Sequence, residues 1–331
     1  SWFEKGTIIK ALQITSYTGP EGLVYQEAPV PRPARGQVTI DVEYAGANYV
    51  EALFAEGLAS RPLPWTPGIE AAGRVRELGE GVEGLSVGEP VAAPITILGA
   101  GGYGQVALAK APLTVPLPPG MDPALASIVP SNTTTALAAL ERTVRIQPGE
   151  HVLVQAAAGG LGTQFGQIAR LLGAGRIVGV VGSEQKRKVA LDLGYDEVWL
   201  RERLPSKDSG QFDVIVDPVS GPTRPESLRL LRLEGRLLAL GDAAQAGDQQ
   251  ISTNTLWSKG ISILGFNIGG LGDAHPDIVG SYLRRALTLV ATGQVTVPVQ
   301  ERLPIADAAR ALTALRSGGT IGKFILVHER D

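Results

Sequence analysis

Hydrophobic and polar positions change rhythm along this chain. Val38, Ile40, Val42 and Tyr44 alternate with Thr39, Asp41 and Glu43, the period of two expected of a half-buried strand. Pro67-Gly68, Gly79-Glu80-Gly81 and Val87-Gly88-Glu89-Pro90 mark turns between further short apolar runs. Residues 1–125 therefore read as an irregular, largely antiparallel β unit. Beyond Asp122 the pattern differs. Residues 124–140 are rich in Ala and Leu and predict a helix, and 150–155 predicts a strand followed by glycines. Leu161, Phe165, Ile168, Ala169 and Leu172 then recur at helical spacing and form one apolar stripe. Strands at 177–181, 212–216, 237–240 and 261–266 alternate with helices at 184–193 and 227–233, which argues for a parallel doubly wound sheet. The tail returns to mixed structure, with helices at 278–292 and 306–317 and a closing strand at 323–327. No internal repeat is present.

The glycine-rich segment between the 150–155 strand and the following helix carries the first candidate chemistry. It reads Ala156-Ala157-Ala158-Gly159-Gly160-Leu161-Gly162. Small residues there let the backbone approach a pyrophosphate, and the N–H groups at the helix start face its charge. A glycine triplet alone is weak evidence, but strand, helix and a second βαβ unit supply the context that a dinucleotide site requires. Gly159, Gly160 and Leu161 are the candidate phosphate contacts. The second strand ends at Val181 and continues Gly182-Ser183-Glu184-Gln185-Lys186-Arg187-Lys188. A hydroxyl and a lysine at that point suit a 2′-phosphate, so Gly182, Ser183, Lys186 and, after the third strand, Arg201 point to NADPH. Two alternatives stay open: residues 186–188 solvate a helix face, or Glu184 is the ribose-binding carboxylate of an NAD site.

Composition narrows the class. The chain has 331 residues, 44% of them hydrophobic, with a formal net charge of −3, enough for two packed units and a large core. There are no cysteines, which removes disulfides, thiol catalysis and thiolate metal ligation. No basic stripe of nucleic-acid type is present, and no apolar run is long enough for a membrane helix. The start, Ser1-Trp2-Phe3, lacks both Met and the layout of a signal peptide, which reads as a trimmed start. The expectation is a soluble, cytoplasmic protein with a small-molecule substrate, binding neither nucleic acid nor membrane.

A set of segments in order resembles the quinone oxidoreductases, a zinc-free branch of the medium-chain dehydrogenase/reductase superfamily. Residues 156–169 are similar to its Ala-Ala-Ala-Gly-Gly-Val-Gly signature. Asn48-Tyr49-Val50-Glu51 is similar to its Asn-x-x-Asp, and Pro67-Gly68-Ile69-Glu70-Ala71-Ala72-Gly73 to its Pro-Gly-x-Glu-x-x-Gly. Val87-Gly88-Glu89-Pro90-Val91, the 212–221 strand and loop, and Gly322-Lys323-Phe324 also match. The likeness spans nearly the whole chain. It implies an α/β architecture: a GroES-like β-rich catalytic domain from 1–125 and 267–331, and a Rossmann NADPH-binding domain at 126–266. It implies a site between the two, and a homodimer joined through the edge strand at 262–266.

Zinc alcohol dehydrogenases of the same superfamily carry Gly-His-Glu where this chain has Gly68-Ile69-Glu70, and use cysteine ligands that are missing here. His151, His275 and His328 show no ligand spacing; His151 reads as the start of a strand and His275 as a loop before a helix. No metal site is expected, which disfavours alcohol oxidation. Reducing an activated double bond needs only a hydride, donors aimed at the carbonyl oxygen, and a proton for the α-carbon. Asn48 and Tyr49 are the catalytic candidates, against a turn-forming asparagine and a packed aromatic. The resemblance also places Asn48, Thr135, Val219, Gly241, Phe266, Ile268 and Lys323 near a bound cofactor. Helix capping is the plain alternative for Ser131-Asn132-Thr133-Thr134-Thr135, and solvation the alternative for Lys323. Ala136-Leu137 replaces an aromatic common in the family, implying a roomier site. Residues 57–60 lack the tyrosine of mitochondrial-type enoyl-thioester reductases, which weakens a fatty-acyl reading. The expected function is reduction of a quinone or enone by NADPH. The alternatives are an enoyl-thioester reductase acting in trans, and an NADPH-binding protein with little turnover.

Overall fold

The computed structural model describes residues 6–204 and 209–329; the opening Ser1-Trp2-Phe3 lies outside them. The chain divides into two compact units, Ser1–Thr134 with Ile268–Asp331, and Thr135–Asn267.

The first unit is built on a seven-stranded sheet. Its longest strand, Gln37–Ala47, pairs antiparallel with Glu70–Leu78, Val106–Lys110 and Lys323–Val327. Val299–Pro304 adds in parallel beyond Lys323–Val327. The alternation read from the sequence places Val38, Ile40 and Val42 in the core beside Val75, Val91 and Ala107. The closing strand has the bounds expected of it. The tail helices run Pro276–Ala291 and Ala308–Ser317. His275 caps the first of them, and Gly318 ends the second in the left-handed conformation that glycine tolerates.

The second unit is a six-stranded parallel sheet. Its strands are β1 (His151–Gln155), β2 (Arg176–Val181), β3 (Glu197–Leu200), β4 (Phe212–Asp217), β5 (Leu231–Ala239) and β6 (Ser262–Gly265), in the order β3-β2-β1-β4-β5-β6. This is the doubly wound order whose reversal lies beside β1. Helix α1 (Gly162–Leu171) follows β1, and α2 (Glu184–Asp192) follows β2. Phe165, Ile168 and Ala169 form the buried part of the α1 stripe. The approach of α1 to the sheet depends on glycines. A side chain at Gly166 would meet the Tyr195 ring at 2.5 Å, and one at Gly179 would meet the Cβ of Ala157 at 2.7 Å. Tyr195 fills that space and donates to the carbonyl of Gly162 at 2.6 Å.

Two helix expectations need correction. Residues 124–140 form two short helices, Pro123–Ala126 and Asn132–Ala138, followed by a π-helical turn at Ala139–Val144. Pro130, which has no N–H to donate, lies in the break. The helix expected at 227–233 ends early. Helix α3 (Thr223–Ser227) passes through a 3₁₀ turn, Leu228–Leu230, and Leu231 already begins β5. The leucines at 228, 230 and 231 suit either state, and pairing of Leu231 with Phe212 decides for the strand. A last helix, α4 (Thr253–Lys259), precedes β6.

Candidate functional site

In the second unit the sequence-predicted cofactor residues gather at the carboxyl ends of β1, β2, β4 and β5. The chain leaves β1 through Ala156, whose φ of 52° is left-handed, and the Ala157 N–H donates to Val180 on β2. A Cβ on Gly162 would lie 2.1 Å from the Ala156 carbonyl oxygen, so only glycine permits this turn into α1. Gly159 is looser, with 3.3 Å to the same oxygen. Among the described residues, the N–H groups of Gly160 and Leu161 have no backbone acceptor. Donors of this kind at the start of a ten-residue helix are what a pyrophosphate needs. The loop therefore fits a dinucleotide.

At the end of β2, Gly182 faces Arg201: a Cβ there would stand 3.8 Å from a guanidinium nitrogen. The Lys186 ammonium sits close to the same arginine. Its pKa is lowered, first by burial and then by the charge of Arg201. Ser183 is the N-cap of α2 and accepts from the Lys186 N–H at 3.4 Å, a role that leaves a hydroxyl able to donate. Glu184 lies in the first helical turn opposite Arg187 at 3.4 Å. Arg201 and the Ser183 hydroxyl thus lie beside Gly182, with Lys186 within reach of the Arg201 charge.

The ends of β4 and β5 are interlocked. Asp217, fully buried, accepts from the Val219 and Ser220 N–H groups at 2.9 Å each and from Arg224 at 2.7 Å. The Val219 carbonyl accepts from Ala244, so its N–H is committed while its carbonyl oxygen keeps a second lone pair for a ligand donor. Gly241 is required: a Cβ would lie 2.7 Å from the Pro218 oxygen. Phe266, half-buried just after β6, donates its N–H to Ala239. Thr135, the first residue of this unit, is 5% exposed and lies inside the helix Asn132–Ala138. Capping therefore does not explain it. Ile268 opens the helix Ile268–Ala274 of the first unit.

In the first unit Asn48 follows the long strand and caps the helix Tyr49–Ala55, where Glu51 reaches back to the Asn48 N–H at 2.7 Å. The Asn48 amide oxygen accepts from Lys323 at 2.5 Å and its nitrogen donates to Glu70 at 2.9 Å. Lys323 also donates to Glu70 at 2.6 Å, and the other Glu70 oxygen accepts from the Ser131 N–H at 2.8 Å. Lys323 is 2% exposed. The solvated reading is thereby overturned, and its ammonium is spent on Glu70 and Asn48 rather than held out to a cofactor. Gly46 makes room, since a Cβ there would meet Glu70 at 2.1 Å. Burial raises the Glu51 carboxyl to about 7, against the opposing pull of the Ile69 N–H and Lys323. Tyr103, fully buried, is pushed well up by burial and then by the Glu51 and Glu70 charges.

Tyr49 is half-buried, and its phenol oxygen accepts from Arg316 at 3.0 Å, with the guanidinium carbon 5.8 Å from the ring centre. Arg316 in turn holds Glu56 at 2.8 Å. The sequence reading missed Arg316, Arg224 and the Glu70–Lys323 pair. Glu70 and Lys323 each stood in a matched segment, but nothing local announced their contact. Among the described residues no group of three or more His, Asp or Glu is placed to hold a metal ion.

Comparison with known proteins agrees with this geometry. Residues 34–119 match the family described as alcohol dehydrogenase GroES-like domain, and 160–291 the family described as zinc-binding dehydrogenase. The quinone oxidoreductase of Rattus norvegicus is 30% identical over 332 residues, covering 97% of this chain and 98% of the relative. The solved Escherichia coli quinone oxidoreductase complexed with NADPH superposes with a TM-score of 0.84 at 26% identity, covering 96% of this chain and 99% of that one. A phthioceranic/hydroxyphthioceranic acid synthase of Mycobacterium tuberculosis is 27% identical over 303 residues, 89% of this chain and 14% of that protein. The chain belongs to the quinone oxidoreductase family of zinc-free medium-chain dehydrogenases/reductases.

Proposed function

We propose that this chain is an oxidoreductase that uses NADPH to reduce a carbon–carbon double bond conjugated to a carbonyl, in a quinone or an α,β-unsaturated ketone or aldehyde. The observation that carries the reading is the glycine-cradled start of α1 together with Lys186 and Arg201 beside Gly182. NADPH, when bound, supplies the hydride that adds to the β-carbon of the acceptor. The Gly160 and Leu161 N–H groups hold the pyrophosphate, while Lys186, Arg201 and the Ser183 hydroxyl hold the 2′-phosphate. Gly159, Gly182, Gly241 and the side chains of Thr135, Val219, Phe266 and Ile268 complete the proposed cofactor contacts. Tyr49 is the proposed proton source for the α-carbon. Arg316 faces the phenol oxygen and compensates the charge left when the proton departs. The Asn48 amide hydrogen that Glu70 does not take is the proposed donor to the carbonyl oxygen.

A second reading, reduction of an enoyl thioester in trans, is favoured by the match to a stretch of the much longer acid synthase. One assay separates the two: oxidation of NADPH and of NADH is followed with a quinone, a cyclic enone and a crotonyl thioester. NADPH-dependent turnover of quinone or enone is expected. Turnover of the thioester alone replaces the first reading by the second, and preference for NADH removes the 2′-phosphate site. Tyr49→Phe is expected to lower kcat by about a hundredfold; an unchanged kcat removes Tyr49 as the proton source.

The proposal includes a cytoplasmic homodimer joined along the outer edge of β6. Trp257 on α4 is 83% exposed and Leu233 on β5 72% exposed, apolar groups flanking an edge strand that is better covered than bare. Light scattering that returns the mass of a single chain overturns the dimer.

A further inference from the structure

We propose that Arg224 and Asp217 are positioning residues that clamp together the loops following β4 and β5 and so set the cofactor end of the parallel sheet. The inference rests on the reading of that end as an NADPH site. The Arg224 guanidinium on α3 makes three bonds: Nε to the Asp217 carboxylate at 2.7 Å, Nη2 to the Asp217 carbonyl at 3.3 Å, and Nη2 to the Gly241 carbonyl at 3.0 Å. One side chain thereby ties the end of β4 to the residue two beyond the end of β5. The fork geometry of arginine allows this and a lysine cannot reproduce it. The Asp217 carboxylate uses its other oxygen on the Val219 and Ser220 N–H groups. This holds Ser220 at a φ of 63°, a conformation that a serine adopts only when its surroundings impose it.

The loops then lock onto each other. Leu240 donates to the Asp217 carbonyl, Ala243 to Pro218 and Ala244 to Val219. The Arg224 side chain is 15% exposed and the Asp217 side chain is fully buried, so loss of either leaves a charge without its partner. Val219 and Gly241, both proposed cofactor positions, sit within two residues of groups the clamp holds.

The same sheet supplies a matched control at its opposite end. Arg236 on β5 holds Glu150, just before β1, through bonds of 2.7 and 3.0 Å, and also donates to the Val144 carbonyl at 3.0 Å. Arg236 is as buried as Arg224, though its carboxylate partner is 18% exposed where Asp217 is fully buried, and the pair is set away from the cofactor ends of the strands. A purely structural role for Arg224 predicts that the two arginines behave alike.

The test measures NADPH dissociation constants by fluorescence titration, with KM, kcat and urea midpoints, for the full chain and for Arg224→Leu, Arg224→Lys, Asp217→Asn and Arg236→Leu. Arg224→Leu is expected to weaken NADPH binding about tenfold or more, with KM rising by a larger factor than kcat falls. Arg224→Lys and Asp217→Asn are expected to follow in the same direction. Arg236→Leu is expected to lower the urea midpoint while its dissociation constant stays within about twofold. Binding within twofold of wild type for Arg224→Leu, or equal weakening by Arg236→Leu, overturns the clamp. If Arg224→Leu does not fold, Arg224→Lys decides by the same criterion. A wild-type chain that binds no NADPH overturns the proposed function instead, which keeps the two failures apart.

Discussion

The two units handle charge in opposite ways. In the first, Glu51, Glu70 and Lys323 are fully buried and answered from within: Lys323 by Glu70 and Asn48, Glu70 by the Ser131 N–H, Glu51 by the Asn48 and Ile69 N–H groups. In the second, burial and then the charge of Arg201 lower the pKa of Lys186, and Arg201 lies beside Gly182. Buried charges that match one another make the loss of either partner costly to the fold. Like charges assembled near the surface cost the folded chain free energy, which an anionic ligand repays by its own affinity. The comparison separates a residue that supports the site from one that meets the ligand, and it moves Lys323 from the second group to the first.

Three measurements sharpen that comparison. The largest effect is expected from Lys323→Met, which leaves two carboxylates buried without their cation; the loss of stability is about 3–5 kcal/mol, read from urea unfolding. A loss below about 1 kcal/mol would mean that Lys323 is not the centre of the cluster. Next comes pH. Glu51 is raised from 4.5 to about 7, so between those values the folded chain binds more protons than the unfolded one. Stability is then greatest below about 4.5 as far as this group is concerned, and falls as pH rises through about 7, by up to about 3 kcal/mol. Glu51→Gln is expected to flatten that slope in urea midpoints taken from pH 5 to 8; an equal slope in the variant assigns it to other groups. The smallest effect is expected from Lys186→Ala with Arg201→Ala, about 2 kcal/mol of NADPH affinity once solvent screening is allowed for. NADH binding should stay unchanged, and a parallel loss for NADH would detach these cations from the 2′-phosphate.

What was legible in the sequence follows the range of the interactions involved. The glycine loop, the strand alternation and the closing strand at Lys323–Val327 are written in consecutive residues, because period and turn chemistry are local. The parallel sheet could be read from the alternation of strands with helices, and its order agrees with the fold that the resemblance implied. The first-unit cluster joins residues 22, 61, 253 and 275 positions apart. No pattern in one sequence states such pairings. Lys323 therefore read as a cofactor contact or a solvated lysine, and Glu70 as one letter of a motif. The two helix errors differ in origin: at 124–140 a single proline breaks a run that is otherwise helical, while at 227–233 a leucine-rich run suits helix or strand and a tertiary partner makes the choice.

The ion pair between Glu70 and Lys323 has a consequence for the order in which the molecule can be completed. The ribosome delivers Glu51 and Glu70 early, but their cation only 253 residues after Glu70. Every strand of the nested unit, up to Gly265, has been made before that cation exists. Vectorial synthesis therefore gives the inserted unit all its parts while the outer one still waits for its tail. The final strand completes the outer unit, and a ribosome stalled short of Lys323 would hold a nascent chain with two acidic groups and no counter-ion.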